Sequence, residues 1–80
     1  MADQDVLRHI NELVEEEHAL FHKAEHGGLD AEGHQRLQSL QVSLDQCWDL
    51  LRQRRGRRDA GKDPEGAHVR DAAVVERYTQ

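Results

Sequence analysis

The chain has 80 residues, of which 34% are charged and 36% are apolar, and its formal net charge is −5. This length allows one domain, and a single cysteine, Cys47, excludes an internal disulfide and a cysteine-based zinc site. So small a domain buries a modest fraction of its surface, which favours association with a second chain. The lone thiol, with no signal peptide and no long apolar run, predicts a cytoplasmic protein without membrane contact.

Residues from about 3 to 26 are predicted to form the first helix. Their apolar residues recur at helical spacing rather than in alternation: Val6, Leu7, Ile10, Leu13, Val14, Leu20, Phe21 and Ala24. Asp3 or Asp5 is expected to cap its beginning, where a negative charge also suits the helix dipole. Gly27 and Gly28 are expected to end it, because glycine accepts the left-handed conformation found at helix C-termini.

Residues from about 31 to 58 are predicted to form the second helix, with Asp30 as its N-cap. Its apolar residues follow a rhythm close to the heptads of coiled coils: Leu37, Leu40, Leu44, Cys47, Trp48 and Leu51. The linker between the two helices is so short that they must form an antiparallel hairpin. Pairing the helices outward from the linker places Arg54 and Arg55 near Asp3 and Asp5.

The C-terminal region differs from the hairpin of residues 1–60. Residues 61–80 are predicted to form a loop around Pro64 and then a short helical tail, at about residues 71–78. Small apolar anchors for this tail are Val69, Val74, Val75 and Tyr78. Because two helices with one apolar stripe each cannot enclose a core, we expect a homodimer that forms a four-helix bundle.

A cluster of arginines at the end of the second helix is the best candidate for a partner-binding surface. Its members are Arg52, Arg54, Arg55, Arg57 and Arg58. Guanidinium groups suit carboxylates and phosphates. No aromatic residue is interleaved and the chain as a whole is acidic, which favours an acidic protein partner or internal pairing. Nucleic-acid binding by the same arginines is the alternative.

Three residues on the apolar stripes are candidates for specifying the core. Glu17 lies at the centre of the first stripe, where an unpaired carboxylate is costly, so we expect a partner in Arg36, Ser39 or Ser43; a ligand or metal role and simple exposure at an open edge are the alternatives. Cys47 is interpreted as a buried, unreactive thiol. Trp48 is interpreted as a core anchor.

One polar face of the first helix offers candidate metal ligands. Glu15, His18 and His22 lie on it, and Glu15 and His18 have a spacing used in di-metal helical bundles. The face is rotated away from the apolar stripe, so a solvated surface is the expected reading, with no resident metal and no cofactor. The sequence shows no catalytic triad and no phosphate-binding glycine loop, so we expect a non-enzyme.

Four segments of the chain resemble a family of very short actinobacterial proteins of unknown function. They are Glu15-Glu16-Glu17-His18, the block from Leu44 to Arg55 that reads LDQCWDLLRQRR, Gly61-Lys62-Asp63-Pro64, and the ending Val74-Val75-Glu76 followed by Tyr78. The central block is the specific one. The resemblance implies a compact bacterial cytoplasmic protein in which the tail belongs to the folded unit, and it implies no catalytic residue.

Taken together, these features predict a small all-α protein with an interaction or regulatory function. Two alternatives of other classes remain at this point. One is a nucleic-acid-binding accessory protein that uses the arginines of residues 52–58, and the other is a helical bundle that binds a small ligand or a metal.

Overall fold

A computed structural model describes the backbone of residues 2–79 and the side chains of residues 2–75. Helix α1 is Asp3–His26, helix α2 is Ala31–Asp59, a 3₁₀ turn follows at Pro64–Gly66, and helix α3 is Ala72–Thr79. The prediction of an all-α hairpin with a short C-terminal helix is confirmed, and the described residues contain no strand. The side chain of Tyr78, a predicted anchor, lies outside the described residues.

The ends of the two long helices follow from local chemistry. The Asp30 carboxylate accepts a hydrogen bond from the Gly33 amide at 2.8 Å, as the predicted N-cap of α2 should. Gly28 has a φ of 81°, which lets the chain turn sharply between the helices. Asp5 caps the start of α1 from inside the helix, because the N-cap position is Ala2, whose amide donates to the Asp5 carboxylate at 3.0 Å.

Helix α2 is the centre of the molecule. Helix α1 packs along one of its faces, and the 3₁₀ turn and α3 pack on another, so each of the other elements contacts α2. The result is an elongated molecule of 50 × 25 × 16 Å. No helix among the described residues is both long and apolar enough to span a membrane.

The core joins α1 to α2 and extends under the C-terminal segment. Its buried members are Val6, Ile10, Leu13, Leu40, Leu44 and Leu50. Ala67, which follows the 3₁₀ turn, packs against this cluster, and Val75 of α3 is fully buried. The C-terminal segment therefore contributes apolar contacts of its own and docks on its own chain.

Leu40→Ala tests the position of this core. Leu40 has no exposed surface, so the substitution leaves a cavity between the helices, and we expect the free energy of unfolding to fall by about 2–5 kcal/mol. Val69→Ala is the matched control, since Val69 is 60% exposed and its truncation should change stability little. Urea unfolding followed by circular dichroism measures both; equal losses would contradict this core.

Candidate interaction surface

The arginine cluster is largely used within the molecule. Arg54 is buried, and its guanidinium donates hydrogen bonds to the carboxylates of Asp3 and Glu65 and to the Pro64 carbonyl. The predicted meeting of Arg54 with Asp3 is therefore observed. Arg54 holds the amino end of α1, α2 and the 3₁₀ turn together, so it is not available to a partner.

Three more of the five arginines have partners inside the chain, and one of these, Arg52, contacts Asp49. Arg58 lies 2.8 Å from the second Asp3 carboxylate oxygen, and Arg57 donates to the Asp63 carbonyl at 2.6 Å. Hydrogen bonds from Arg58 and Arg54 lower the pKa of Asp3 below its ordinary value. Of the predicted partner-binding set of Arg52, Arg54, Arg55, Arg57 and Arg58, Arg55 alone has no hydrogen bond or ion pair within the described residues, while Arg52 and Arg58 are exposed but paired.

Asp49 is the central polar residue of the molecule, and its role was not predicted from the sequence. Its carboxylate is fully buried and accepts hydrogen bonds from both sides of the Arg70 guanidinium and from the Gln53 amide. The Arg52 guanidinium approaches the same carboxylate at 3.4 Å. Hydrogen bonds from Arg70, the largest cause, hold the pKa of Asp49 below the ordinary value of an aspartate.

The residues around Asp49 tie the C-terminal segment to α2. Gln53 also donates to the His68 carbonyl at 2.7 Å, and Gln46 donates to the Arg70 carbonyl at 3.2 Å. These contacts satisfy backbone groups of a segment that has no secondary structure of its own. A sequence signal was available, because Asp49 stands between Trp48 and Leu50, but nothing in the sequence identified Arg70 as its partner.

Asp49→Asn tests this cluster and its dependence on pH. Loss of the charge opposite Arg70 should lower the free energy of unfolding by about 3 kcal/mol at pH 7. The pKa of Asp49 is lower in the folded chain than in the unfolded chain, so the unfolded chain takes up the proton first as the pH falls. The ionised carboxylate therefore stabilises the fold above about pH 4, and this stabilisation is lost at lower pH. The wild-type and Asp49→Asn curves should therefore converge in acid.

Asp45→Asn serves as the matched control for that substitution. Asp45 is half-buried one turn earlier on α2 and has no hydrogen bond or ion pair within the described residues, so its stability should stay near that of the wild type. Urea titrations at several pH values measure all three chains. A gap between wild type and Asp49→Asn that stayed constant down to pH 2 would contradict the assignment.

The candidate metal ligands are arranged differently from the prediction. Within the described residues, His22 forms a cluster with Glu25 and His26, all exposed, and not with Glu15 and His18. The His22 and His26 rings lie 4.3 Å apart, and a hydrogen bond joins His26 Nδ1 to the His22 carbonyl oxygen at 3.0 Å. Such a group on one exposed helix face can hold a transition-metal ion weakly.

The predicted partners of Glu17 are wrong. Arg36 makes its ion pair with the neighbouring Glu16, and that hydrogen bonding lowers the pKa of Glu16. Glu17 is half-buried, and within the described part of the chain it has no hydrogen bond or ion pair. Its carboxylate keeps enough contact with water to need no partner in the core.

The structure separates Cys47 from Trp48, which were predicted to lie together in the core. Cys47 is half-buried and packs against the core cluster, and this burial raises the pKa of its thiol. Trp48 is 49% exposed, so the prediction that it anchors the core of a single chain is wrong. Rotation of about 100° per residue carries Trp48 out of the contact between α1 and α2.

Cys47 should react slowly in the folded protein. Its raised pKa leaves little thiolate at pH 7, and the core limits access to the sulfur. We expect the thiol to react with Ellman's reagent several-fold more slowly in buffer than in the urea-unfolded chain. Equal rates in the two states would show that the thiol is open to solvent.

Three large apolar side chains are exposed on one side of the hairpin: Leu7 (43% exposed), Phe21 (42%) and Trp48 (49%). We call these three residues the apolar flank. Leu7 follows the core residue Val6, so it is turned about 100° from the core line of α1. Trp48 follows Cys47 and is turned in the same sense on α2. Because the helices are antiparallel, the same sense of rotation leads to the same side of the pair.

The remaining geometry is consistent with one continuous flank. Phe21 lies about four turns after Leu7 on the same line of α1. Leu50, which belongs to the buried core, lies about 160° around α2 from Trp48. The C-terminal segment, held by Gln46, Gln53 and Asp49, thus covers a different side of α2 and leaves the apolar flank open.

The surface depressions lined by described residues are shallow and mostly polar. The larger one is bounded by α2 residues alone: Gln35, Gln38, Ser39, Val42 and Ser43. A second, beside it, adds Gln41 and Asp45. Neither is an enclosed cavity lined mainly by apolar side chains, as small-molecule sites usually are.

Comparison with known proteins places the chain among short relatives. A family model described as "Protein of unknown function (DUF2630)" matches residues 2–80. The chain is 51% identical over 78 residues to the uncharacterized protein Rv0898c of Mycobacterium tuberculosis and to the uncharacterized protein Mb0922c of Mycobacterium bovis. Each match covers 96% of this chain and 90% of the relative. No solved structure matches the chain.

Proposed function

The chain belongs to the DUF2630 family of proteins of unknown function, and we propose that it is a non-enzymatic interaction protein that binds through its apolar flank. The observation that carries this proposal is the exposure of Leu7, Phe21 and Trp48 together on one side of the hairpin. Two of them are aromatic, in a chain with only three aromatic residues. Aromatic side chains left in water at this density are typical of binding surfaces.

The hydrogen bonds of the buried polar groups also favour an interaction protein. Asp49 and Arg54 are the buried charged residues within 2–75, and each is hydrogen-bonded to groups of its own chain. No buried side-chain nitrogen or oxygen among the described residues lacks a hydrogen-bond partner. These groups therefore stabilise the fold, and we assign no catalytic step to them.

The exposed arginines are assigned to the border of the same surface. Arg52 and Arg55 lie at the open end of the hairpin, and Arg55 follows Trp48 by two turns of α2. Charged groups around an apolar centre are the usual rim of a protein interface, where they guide association. With Arg54, Arg57 and Arg58 bound internally, this role fits better than nucleic-acid binding. We further propose a cytoplasmic location, on the basis of the single unpaired cysteine.

Affinity capture with two matched sets of variants tests the assignment. The tagged chain, a flank variant (Leu7→Gln, Phe21→Gln, Trp48→Gln) and a rim variant (Arg52→Gln, Arg55→Gln) are each incubated with native lysate, with and without nuclease treatment. We expect the flank variant to lose the proteins that the wild-type chain retains, since the flank substitutions remove most of the apolar contact area. The rim variant should retain them with reduced yield.

Two other outcomes would count against the proposal. Proteins retained equally by the flank variant and the wild type would show that the flank is not the binding surface. Proteins lost on nuclease treatment, or lost only with the rim variant, would favour nucleic-acid binding through Arg52 and Arg55. Far-UV circular dichroism of each variant controls for loss of the fold, which is not expected at exposed positions.

A further inference from the structure

We propose that the apolar flank binds the apolar flank of a second copy of this chain, with the two hairpins reversed end for end. The inference rests on the proposed function and names its partner. The two copies would be related by a two-fold axis that lies in the interface and crosses the helices near the middle of α1. Helix α1 then packs antiparallel on α1 of the partner, and α2 on α2, which forms a four-helix bundle.

The side of the hairpin that carries the flank is large enough for a dimer contact. This side is two helices wide, about 20 Å, and as long as α1, about 36 Å for its 24 residues. Its projected area, polar side chains included, is therefore about 700 Å², close to the roughly 800 Å² per partner of standard stable interfaces. The long dimension of the molecule, 50 Å, accommodates this contact without involving the C-terminal segment.

The apolar side chains match when one hairpin is reversed. The middle of α1 lies near Val14, and Leu7 and Phe21 are equally far from it on opposite sides. Reversal about this point places Leu7 opposite Phe21 of the partner subunit, and the symmetry repeats the contact. Trp48 then faces the early part of the partner's α2, where Leu37 is half-buried on the same flank.

The charges at the two ends of the flank also match only in the reversed arrangement. Arg55 is exposed at the open end, and Glu25 is exposed at the turn end, each on the side of its helix that carries the apolar flank. Neither has an ion pair within the described part of the chain. Reversal brings the arginine end of one copy to the glutamate end of the other, whereas an unreversed pair would stack like charges.

Sedimentation equilibrium of the full chain tests the dimer. We expect the wild-type chain to self-associate at micromolar concentration, and Leu7→Gln or Phe21→Gln to weaken the dimer by about tenfold or more. Val69→Gln is the matched control, because Val69 is exposed but lies outside the flank, and it should leave the dissociation constant unchanged.

Trp48 supplies an independent readout, because it is the only tryptophan in the chain and is half-exposed in a single copy. Its emission should shift to the blue, and its quenching by acrylamide should fall, as the concentration rises through the dissociation constant. The Val69→Gln chain should show the same change, and the Phe21→Gln chain should show it only at higher concentration.

Disulfide cross-linking tests the reversed orientation. In a Cys47→Ser background, a Leu7→Cys chain is mixed with a Phe21→Cys chain and oxidised. The reversed dimer brings positions 7 and 21 of different copies together, so the mixed disulfide should form several-fold faster than either symmetric one. Predominant 7–7 and 21–21 disulfides would overturn the reversed orientation.

These experiments distinguish a failure of the dimer proposal from a failure of the proposed function. A wild-type chain that stays monomeric at hundreds of micromolar overturns the second copy as partner, while capture by the flank variants still tests the flank itself. A dimer that Leu7→Gln and Phe21→Gln leave intact overturns the flank as the dimer contact, and capture with the flank variant then decides the proposed function separately. A dimer weakened by both, with the mixed disulfide dominant, supports both.

Discussion

The burial of the Asp49 carboxylate is the constraint on which the rest of the structure depends. A carboxylate with no contact with water must be paired, and its main partner, Arg70, lies on the segment that follows the hairpin. The C-terminal segment is therefore needed to complete the fold. Gln46 and Gln53 fix the path of that segment by binding its carbonyl groups, and Ala67 and Val75 add apolar contacts. One charged residue thus links the hairpin to the C-terminal segment in a chain whose hydrophobic core is small.

The docking of the C-terminal segment on α2 determines which side chains of the hairpin are covered and which are exposed. One face of α2 is covered by α1, and part of a second is covered by the C-terminal segment, and the apolar flank is left uncovered by either. The arginines beside the C-terminal segment are used to hold it, while the open side carries Leu7, Phe21 and Trp48. The most conspicuous charged feature of the sequence is consequently in large part structural, and the proposed binding surface includes Trp48, which was assigned to the core.

The sequence predicts the elements well because strong local signals agree. Helical spacing, the Asp30 cap and the glycines at the turn all indicate two helices, and charge matching places Arg54 at Asp3. Prediction from the sequence fails where the burial of a side chain depends on which side of an apolar stripe it occupies. Cys47 and Trp48 are adjacent and both apolar, yet only one faces α1. The pairing of Asp49 with Arg70 is equally hidden, because it joins residues whose proximity is set by the path of a segment without periodicity.

The position of Arg70 has a consequence for the biosynthesis of this protein. Chains emerge from the ribosome amino end first, so α1 and α2 leave it before Arg70 does. During that interval the hairpin carries an aspartate in α2 without its guanidinium partner, on a surface later covered by the C-terminal segment. Until Arg70 is free to pair, the nascent hairpin lacks the main partner of its buried carboxylate and is less stable than the complete fold, which leaves it more open to chaperones and proteases.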